Sequence, residues 1–397
     1  MIEGRRALIV LTALCVLAMK IVIAYNTYGT NDAITFEADI AKLKSAGPEK
    51  LYREGVEPAS GHKQPFSHSP PVIHGLLLLD LLAGRSGLPV RFWLRVCCAL
   101  ADLASLWMLW KIGVRSMAAL LLTALSPVSL MISGFHVNTD PLMVCAVLLS
   151  ALLMLSNRFA WAGAALGVAI SIKLTALVFV PALAIAAGAR KSALILGIAF
   201  LCFYGLSLPF IFEFPKTIGT SILAYPGLSR FWGISGIALL TGAENFFVWY
   251  GQIGKFVALA TVGMAAVIIR SRGRRAELLS NCGLAAALFL VFTPGFGIQY
   301  LVYLVPWLAV ARRSVALGFY AVSGTFMAAF YTWGSKGFPW YLANFFTTKS
   351  MPIEVFYLGL SVWIAVGLVA GEFVRTAVIT CRSETLLPAT RSGNALP

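Results

Sequence analysis

Charged residues are scarce in this chain. Asp, Glu, Lys and Arg make up 12% of its 397 residues, while 59% are hydrophobic and the mean hydropathy is +0.84. Soluble globular proteins carry about twice that charged fraction, so the composition excludes their class. Acidic residues are the scarcest, with 16 against 31 basic ones. The basic residues stand in short clusters between apolar runs, which is typical of cytoplasmic loops, so we expect no nucleic-acid partner.

The chain also lacks motifs for zinc or for dithiol chemistry. It contains four histidines and seven cysteines, and no two cysteines form a CxxC pair. His62, His68 and His74 are evenly spaced, but their spacing fits no zinc pattern. We therefore expect the cysteines within apolar runs to be buried structural thiols.

Long apolar runs account for most of the chain, and a spanning helix needs about 20 such residues. The runs are 7–25, 92–110, 116–134, 140–156, 160–172, 174–188, 192–211, 247–269, 277–293, 298–311, 314–331 and 353–371. They predict an all-α polytopic membrane protein with about 12 transmembrane helices plus a short re-entrant or surface helix. We expect one transmembrane domain over 1–375 and a short cytoplasmic tail over 376–397, with the first run kept as an uncleaved helix.

A further run, 72–84, decides the topology. It is short for a crossing and contains Asp80. If it does not cross and the N-terminus is cytoplasmic, most basic clusters fall inside, as the positive-inside rule requires. We therefore predict a re-entrant or surface helix, which leaves the polar loop 26–91 outside. An apolar stripe over 31–45 predicts an amphipathic surface helix in that loop, and the aromatic 332–352 loop is expected at the same face.

Asp32 follows the first span by a few residues, in the segment that begins at Tyr28. A carboxylate at a membrane face can deprotonate an alcohol or hold a metal ion. The alternative is that Asn31 or Asp32 caps the following helix. Glu37 and Asp39 are the nearest further acids, and they form no tight Asp-x-Asp pair with Asp32.

Asp140 lies between two apolar runs, and His136 and Asn138 precede it closely. The predicted topology places it at the same membrane face as Asp32. Two acids at one face favour a functional role for both, although Asp140 before Pro141 is equally suited to cap a helix.

Lys173 interrupts an apolar stretch. An intramembrane lysine is costly unless it meets an anion, so a bound phosphate is favoured, with snorkelling to the interface as the alternative. Asp80, Arg95 and Asp102 also lie in or beside apolar runs. We expect these three to make structural ion pairs, and Arg95 with Asp102 is one such pairing.

Four further polar residues are candidates. His68 stands beside a double-proline turn. Gln299 and Tyr300 follow a glycine-rich turn, where their polar groups are suited to hold sugar hydroxyls or to cap a helix. Arg230 lies in the segment 212–246, which the topology places outside.

Four motifs occur in order along the chain. They are Asn31-Asp32, His68-Ser-Pro-Pro71-Val-Ile-His, the stretch 126–140 followed by 167–173, and Gly297-Ile-Gln299-Tyr300. Over about residues 7–310 this order resembles the GT-C superfamily of polytopic glycosyltransferases. It is most similar to mannosyltransferases that use a polyprenyl-phosphate sugar, such as the catalytic subunit of GPI mannosyltransferase I and bacterial relatives. The resemblance implies a GT-C-like fold.

The resemblance also implies a hexosyltransferase. Such an enzyme moves mannose or a similar hexose from a polyprenyl-phosphate donor to a lipid or glycan acceptor at the outer face, with inversion. It implies Asp32 as the general base, and Lys173 with Arg230 as ligands of the donor phosphate. The residues implied to position substrates are His68, His136, Asn138, Asp140, Gln299 and Tyr300. A metal cofactor stays open, with Mg²⁺ or Mn²⁺ on Asp32 and Asp140 as the candidate arrangement.

Two other function classes fit the apolar composition. A transporter or flippase for a lipid-linked or polar solute would use Lys173, Asp80 and Asp102 as pathway charges, but it predicts inverted repeats that the sequence does not display. A non-catalytic scaffold would tolerate single acidic substitutions. The expected partners are the polyprenyl-phosphate sugar, its acceptor and membrane lipids. The expected location is a bacterial inner (plasma) membrane, with the active site on its outer face.

Overall fold

The computed structural model describes residues 2–58, 63–223, 232–268, 275–295, 297–345 and 350–385. It is 82% helical. The helices are α1 (Ile2–Asn26), α2 (Asn31–Glu54), α3 (Pro71–Ser86), α4 (Val90–Ile112), α5 (Met117–Ala124), α6 (Pro127–Met131), α7 (Asp140–Leu155), α8 (Phe159–Ile172), α9 (Val180–Ala187), α10 (Ala189–Glu213), α11 (Pro215–Ile218), α12 (Ile234–Leu240), α13 (Glu244–Ile268), α14 (Arg275–Phe292), α15 (Arg313–Gly334) and α16 (Ile353–Thr385). Short 3₁₀ segments cover Leu174–Phe179, Ile298–Leu304 and Trp307–Val310, and π-helical turns cover Ile132–His136 and Gly219–Leu223.

Seven helices in the described part of the chain are long and apolar enough to cross a membrane. They are Arg6–Asn26, Val90–Ile112, Met117–His136, Ala189–Glu213, Glu244–Ile268, Arg313–Gly334 and Ile353–Ala377. Shorter apolar helices cover Asp140–Leu155, Phe159–Ile172, Leu174–Ala187, Glu277–Phe292 and Ile298–Val310. Each predicted run coincides with one of these segments. The prediction of an all-α polytopic fold is confirmed, and the chain is an integral membrane protein.

The polar loop after α1 folds into a small layer of its own. Its core contains Phe36, Tyr52 and Phe66, which pack with the start of α4. Gly47 is non-helical, with a φ of 80° and a ψ of 171°, and it interrupts α2 just after the predicted stretch 31–45; a second helical stretch then begins near Pro48 and continues to Glu54. α3 covers the run 72–84 and has 16 residues, about 24 Å, which is shorter than the hydrocarbon core of about 30 Å.

A broken helix, made of α6 and the π turn Ile132–His136, lies between α5 and α7 and leads into the candidate site. Ser126 accepts a hydrogen bond from the backbone of Ser129 and caps α6, whose first residue is Pro127. The chain then widens into the π turn that ends at His136, and Val137 has a φ of 63°. A β-branched residue rarely adopts this left-handed conformation, so the turn stores backbone strain where functional side chains follow.

Two-residue strands hold the first loop against the C-terminal half of the chain. β1 (Gly29–Thr30) pairs in parallel with β2 (Leu342–Ala343). Gly29 has a φ of 107°, and a β-carbon at that position would lie 2.7 Å from the Phe135 carbonyl oxygen. Only glycine therefore allows the start of α2 to approach the π turn so closely.

The embedded charges are paired, although one pairing differs from the expectation. Asp102 forms an ion pair of 2.6 Å with Lys20, while Arg95 donates to the carbonyl oxygens of Ala24 and Thr27 at the end of α1. The predicted pairing of Arg95 with Asp102 is therefore wrong, because the C-terminal carbonyls of α1 supply the acceptors for Arg95. Asp80 pairs with Lys44 in the small layer that the loop after α1 forms.

Candidate active site

Asp32 lies in the first turn of α2, but it does not cap that helix. The cap is Thr30, whose hydroxyl accepts from the Asp32 backbone N–H at 3.4 Å and donates to the His136 carbonyl oxygen at 2.5 Å. The Asp32 carboxylate is thus not used as a cap, and its side chain is 29% exposed.

His136 at the end of the broken helix and Asn138 just after it hold the Asp32 carboxylate. Asn138 donates from Nδ2 to Oδ2 at 3.1 Å, and Nε2 of His136 lies 3.4 Å from the same oxygen. Asn31 contacts Oδ1 at 3.3 Å. Burial raises the pKa of Asp32, but the bonds to His136 and Asn138 and the positive charge of Lys173 outweigh it and lower that pKa below its usual value. The site therefore keeps this carboxylate ionised.

Asp140 is fully buried and also does not cap its helix. Its two carboxylate oxygens accept from Nζ of Lys173 at 2.9 and 2.8 Å, and Oδ1 also accepts from the hydroxyl of Tyr303 at 2.6 Å. The backbone N–H groups of Thr139 and Asp140 donate instead to Oδ1 of Asn138. Asn138 thus connects the Asp32 carboxylate to the helix start that carries Asp140.

Lys173 interrupts the helical path between α8 and the 3₁₀ segment that follows. Its ammonium group lies 4.7 Å from the centre of the Tyr300 ring, so the pair to Asp140 is supplemented by a cation–π contact. The side chain is 17% exposed. A small part of this lysine therefore remains exposed inside an apolar segment.

His68 reaches the same charges from the small layer that the loop after α1 forms. Its ring packs between Phe36 and Phe66, each 5.4 Å away between centroids. Burial lowers the pKa of His68 to about 4, with a further contribution from the charge of Lys173, so the imidazole is neutral at physiological pH. The adjacent Ser69 donates to the Ser171 carbonyl oxygen at 2.5 Å. This bond joins the loop to the end of α8, just before Lys173.

The structure thus brings most of the predicted residues together, and two are exceptions. Gln299 folds its carboxamide over Gly297, and among the described residues no hydrogen bond joins it to Asp32 or Lys173. Arg230 lies outside the described residues, as does His62. α16 continues to Thr385, beyond the predicted domain boundary at 375.

A metal site on the two predicted carboxylates does not fit this arrangement. Both oxygens of Asp140 are already engaged by Lys173, and one of them also by Tyr303. Within the described ranges, no three His, Cys, Asp or Glu residues gather as a metal site would require.

Two tyrosines in the site were not among the predicted residues. Tyr303 donates to Asp140 and stacks on Tyr300 with centroids 5.3 Å apart. Tyr331 contacts His136, with its hydroxyl 2.8 Å from Nδ1. Both hydroxyls are buried in apolar segments, and a buried phenol needs a polar partner. This requirement alone could have marked the two tyrosines as candidates from the sequence, but the sequence does not indicate which partner each phenol contacts.

Of the comparisons with known proteins, the one with solved structures informs on the fold. No family model matches the chain, and no curated protein matches it. The structure is similar to the crystal structure of ArnT from Cupriavidus metallidurans bound to undecaprenyl phosphate, with a TM-score of 0.52 and 14% sequence identity. The match covers 99% of this chain and 82% of that one. At this identity the likeness shows the fold alone, and the expected polytopic all-α GT-C-like fold is confirmed.

Proposed function

We propose that the protein is a membrane glycosyltransferase that transfers a sugar from a polyprenyl-phosphate donor to a hydroxyl group of its acceptor. The observation that carries the proposal is the connection of Asp32 to Lys173 through Asn138 and Asp140. One accessible carboxylate and one accessible ammonium group thus belong to the same polar cluster. A reaction that removes a proton and releases a phosphate needs these two groups.

Asp32 is the proposed general base. The acceptor hydroxyl oxygen forms a bond to the anomeric carbon, and the bond from that carbon to the phosphate oxygen breaks. The hydroxyl proton passes to the Asp32 carboxylate, and the bonding electrons leave with the polyprenyl phosphate, which needs no protonation. A single displacement of this kind inverts the anomeric centre.

Lys173 is the proposed ligand of the departing phosphate. An ammonium group has three N–H donors, and the two bonds to Asp140 leave a third for an anion. Two carboxylates against one ammonium leave this cluster short of positive charge for a phosphate. We therefore retain Arg230 as the second phosphate ligand, and propose these two side chains, in place of a divalent cation, to neutralise the phosphate.

The remaining roles follow from position. His68 borders the cluster as a neutral hydrogen-bonding ring, and Tyr300 lies against Lys173, so both are proposed to contact the sugar. Gln299 is retained as a proposed sugar contact only because it is adjacent to Tyr300 in the chain. The undecaprenyl phosphate in the ArnT structure, whose fold this chain shares, supports a polyprenyl-phosphate donor. A hexose such as mannose, a lipid or glycan acceptor, and the outer face of a bacterial inner membrane complete the proposal.

Mass spectrometry of envelope glycolipids and glycans, from cells with and without the gene, tests this function. We expect one envelope species to lose the mass of one sugar when the gene is deleted and to regain it on complementation. Unchanged masses, together with solute movement in reconstituted vesicles without product formation, would favour a transporter instead.

A further inference from the structure

Tyr331 lies near the end of α15, at a position where its hydroxyl has little freedom. The side chain is fully buried near the end of α15, and its ring packs against Phe135 and Trp340 with centroids 5.0 and 5.6 Å away. The hydroxyl lies 2.8 Å from Nδ1 of His136. The imidazole, also buried, therefore meets a phenol on one nitrogen and the Asp32 carboxylate on the other.

For a neutral imidazole, this arrangement allows only one tautomer of His136. A neutral imidazole carries one N–H group, and an ionised carboxylate can only accept. The nitrogen that faces Asp32, Nε2, must therefore hold the proton, and Nδ1 must accept a hydrogen bond from the Tyr331 hydroxyl. The distance of 3.4 Å from Nε2 to Oδ2 of Asp32 is long for such a bond, as is common before a substrate is bound.

We propose that Tyr331 is a positioning residue, which fixes His136 with its N–H group directed at Asp32. The inference rests on the proposed function and deepens it. His136 then acts on the base instead of on the substrate. With Asn138 and His136 both on Oδ2, and Asn31 alone on Oδ1, the chain presents Oδ1 to the proton of the acceptor.

Two substitutions of His136 separate this role from simple packing. In His136→Gln the side-chain amide can occupy the place of Nε2 and still donate to Asp32. In His136→Asn the shorter side chain places the amide nitrogen only where Nδ1 lies, so it cannot donate to Asp32. We expect His136→Gln to retain kcat within about tenfold, and His136→Asn and Tyr331→Phe to lose it by about 10- to 100-fold, the effect of one hydrogen bond to a charged group. The KM for the donor should stay unchanged.

The pH dependence gives a second readout. When the contact from His136 to Oδ2 is weakened or lost and only Asn138 still donates to this oxygen, the acid limb of the pH–rate profile should move to higher pH, in Tyr331→Phe and in His136→Asn. Tyr320→Phe is the matched control, because Tyr320 is also buried on α15 but donates to the Val305 carbonyl oxygen, outside the site. Unchanged kcat and pH profile in Tyr331→Phe, or equal losses in the two His136 variants, would overturn the proposal.

The tautomer itself can be observed without any substrate. In nanodiscs with ¹⁵N-labelled histidine, the chain has four imidazoles, and His136 is assigned by its disappearance in His136→Gln. We expect the proton on Nε2 in the wild-type protein. A proton on Nδ1 in the wild type would refute this inference, whereas absence of transfer by the wild type would refute the proposed function.

Discussion

Asn138 donates a hydrogen bond of 3.1 Å to the carboxylate of Asp32, across a separation of 106 residues in the sequence. The same side chain accepts from the backbone N–H groups that begin α7. Because one amide satisfies both sets of partners, the position of the proposed base is tied to the helix start that carries Asp140. The geometry of the site thus depends on a residue that would hold neither proton nor phosphate.

We predict that Asn138→Asp lowers kcat by at least tenfold at neutral pH. A carboxylate at position 138 would repel Asp32 and remove its donor, so the pKa of Asp32 would rise from its lowered value. The acid limb of the pH–rate profile would move upward with it. A profile that coincides with that of the wild type would contradict this role for Asn138.

The pair of Lys173 and Asp140 should matter for folding as well as for donor binding. We predict that Asp140→Asn or Lys173→Met alone destabilises the protein by about 3–5 kcal/mol, because each leaves an uncompensated buried charge or acceptor. The double variant, Lys173→Met with Asp140→Leu, should recover most of the melting temperature in detergent. It should still fail to bind undecaprenyl phosphate.

The double variant gives this prediction its control. Recovery of stability without binding separates the two roles of Lys173. Binding of undecaprenyl phosphate at wild-type affinity by the double variant would show that Lys173 is not the phosphate ligand.

Asp102 should be important for stability and not for chemistry. It accepts from Lys20, Ser129 and Ser133, and it thereby holds the broken helix against α1. We predict that Asp102→Asn lowers the melting temperature strongly, by the cost of an unpaired buried lysine. Asp80→Asn is the matched control, since it breaks the exposed pair with Lys44 and should cost less than about 1 kcal/mol. Equal losses in the two variants would contradict the assignment.

Asp39 should make the small layer that the loop after α1 forms sensitive to pH. It is buried in α2, its Oδ1 has no hydrogen-bond partner among the described residues, and burial raises its pKa to about 7. Between about pH 4 and 7 the folded protein keeps a proton that the unfolded chain has lost. Stability therefore falls as pH rises through this window, by about 1.4 kcal/mol per unit.

Hydrogen–deuterium exchange of α2 between pH 5 and 8 measures this dependence. Protection should fall with rising pH in the wild type beyond the intrinsic change in exchange rate. Asn at position 39 cannot titrate, so Asp39→Asn should remove that excess. The same excess in Asp39→Asn would assign the effect to another group.

The fold was largely predictable because apolar length is a direct signal of membrane helices. Each predicted run, including 298–311, corresponds to a helical segment. The sequence did not reveal where these segments are broken. The π turn before Val137 and the 3₁₀ segment that starts at Ile298 depend on tertiary packing, and the hydropathy of the sequence does not indicate that packing.

The candidate site was predictable where a polar residue is costly in its setting. Asp32, Asp140 and Lys173 stood out for that reason, and the structure places them in one cluster. The partners were not predictable, since Tyr303 and Tyr331 come from segments that lie 163 and 195 residues from the groups they bind. Helix capping was a reasonable alternative for both acids, but Thr30 and Asn138 supply those hydrogen bonds instead.

Sugar transfer by Asp32→Asn tests the central claim most directly. Purified wild-type and variant proteins, in liposomes with radiolabelled undecaprenyl-phosphate mannose and an envelope lipid extract as acceptor, would be compared for label in the acceptor. Asparagine preserves the shape of the side chain but cannot take a proton, so we predict a loss of about 10²- to 10⁴-fold, with unchanged melting temperature and binding of undecaprenyl phosphate. Transfer at the wild-type rate by the folded variant would contradict the account.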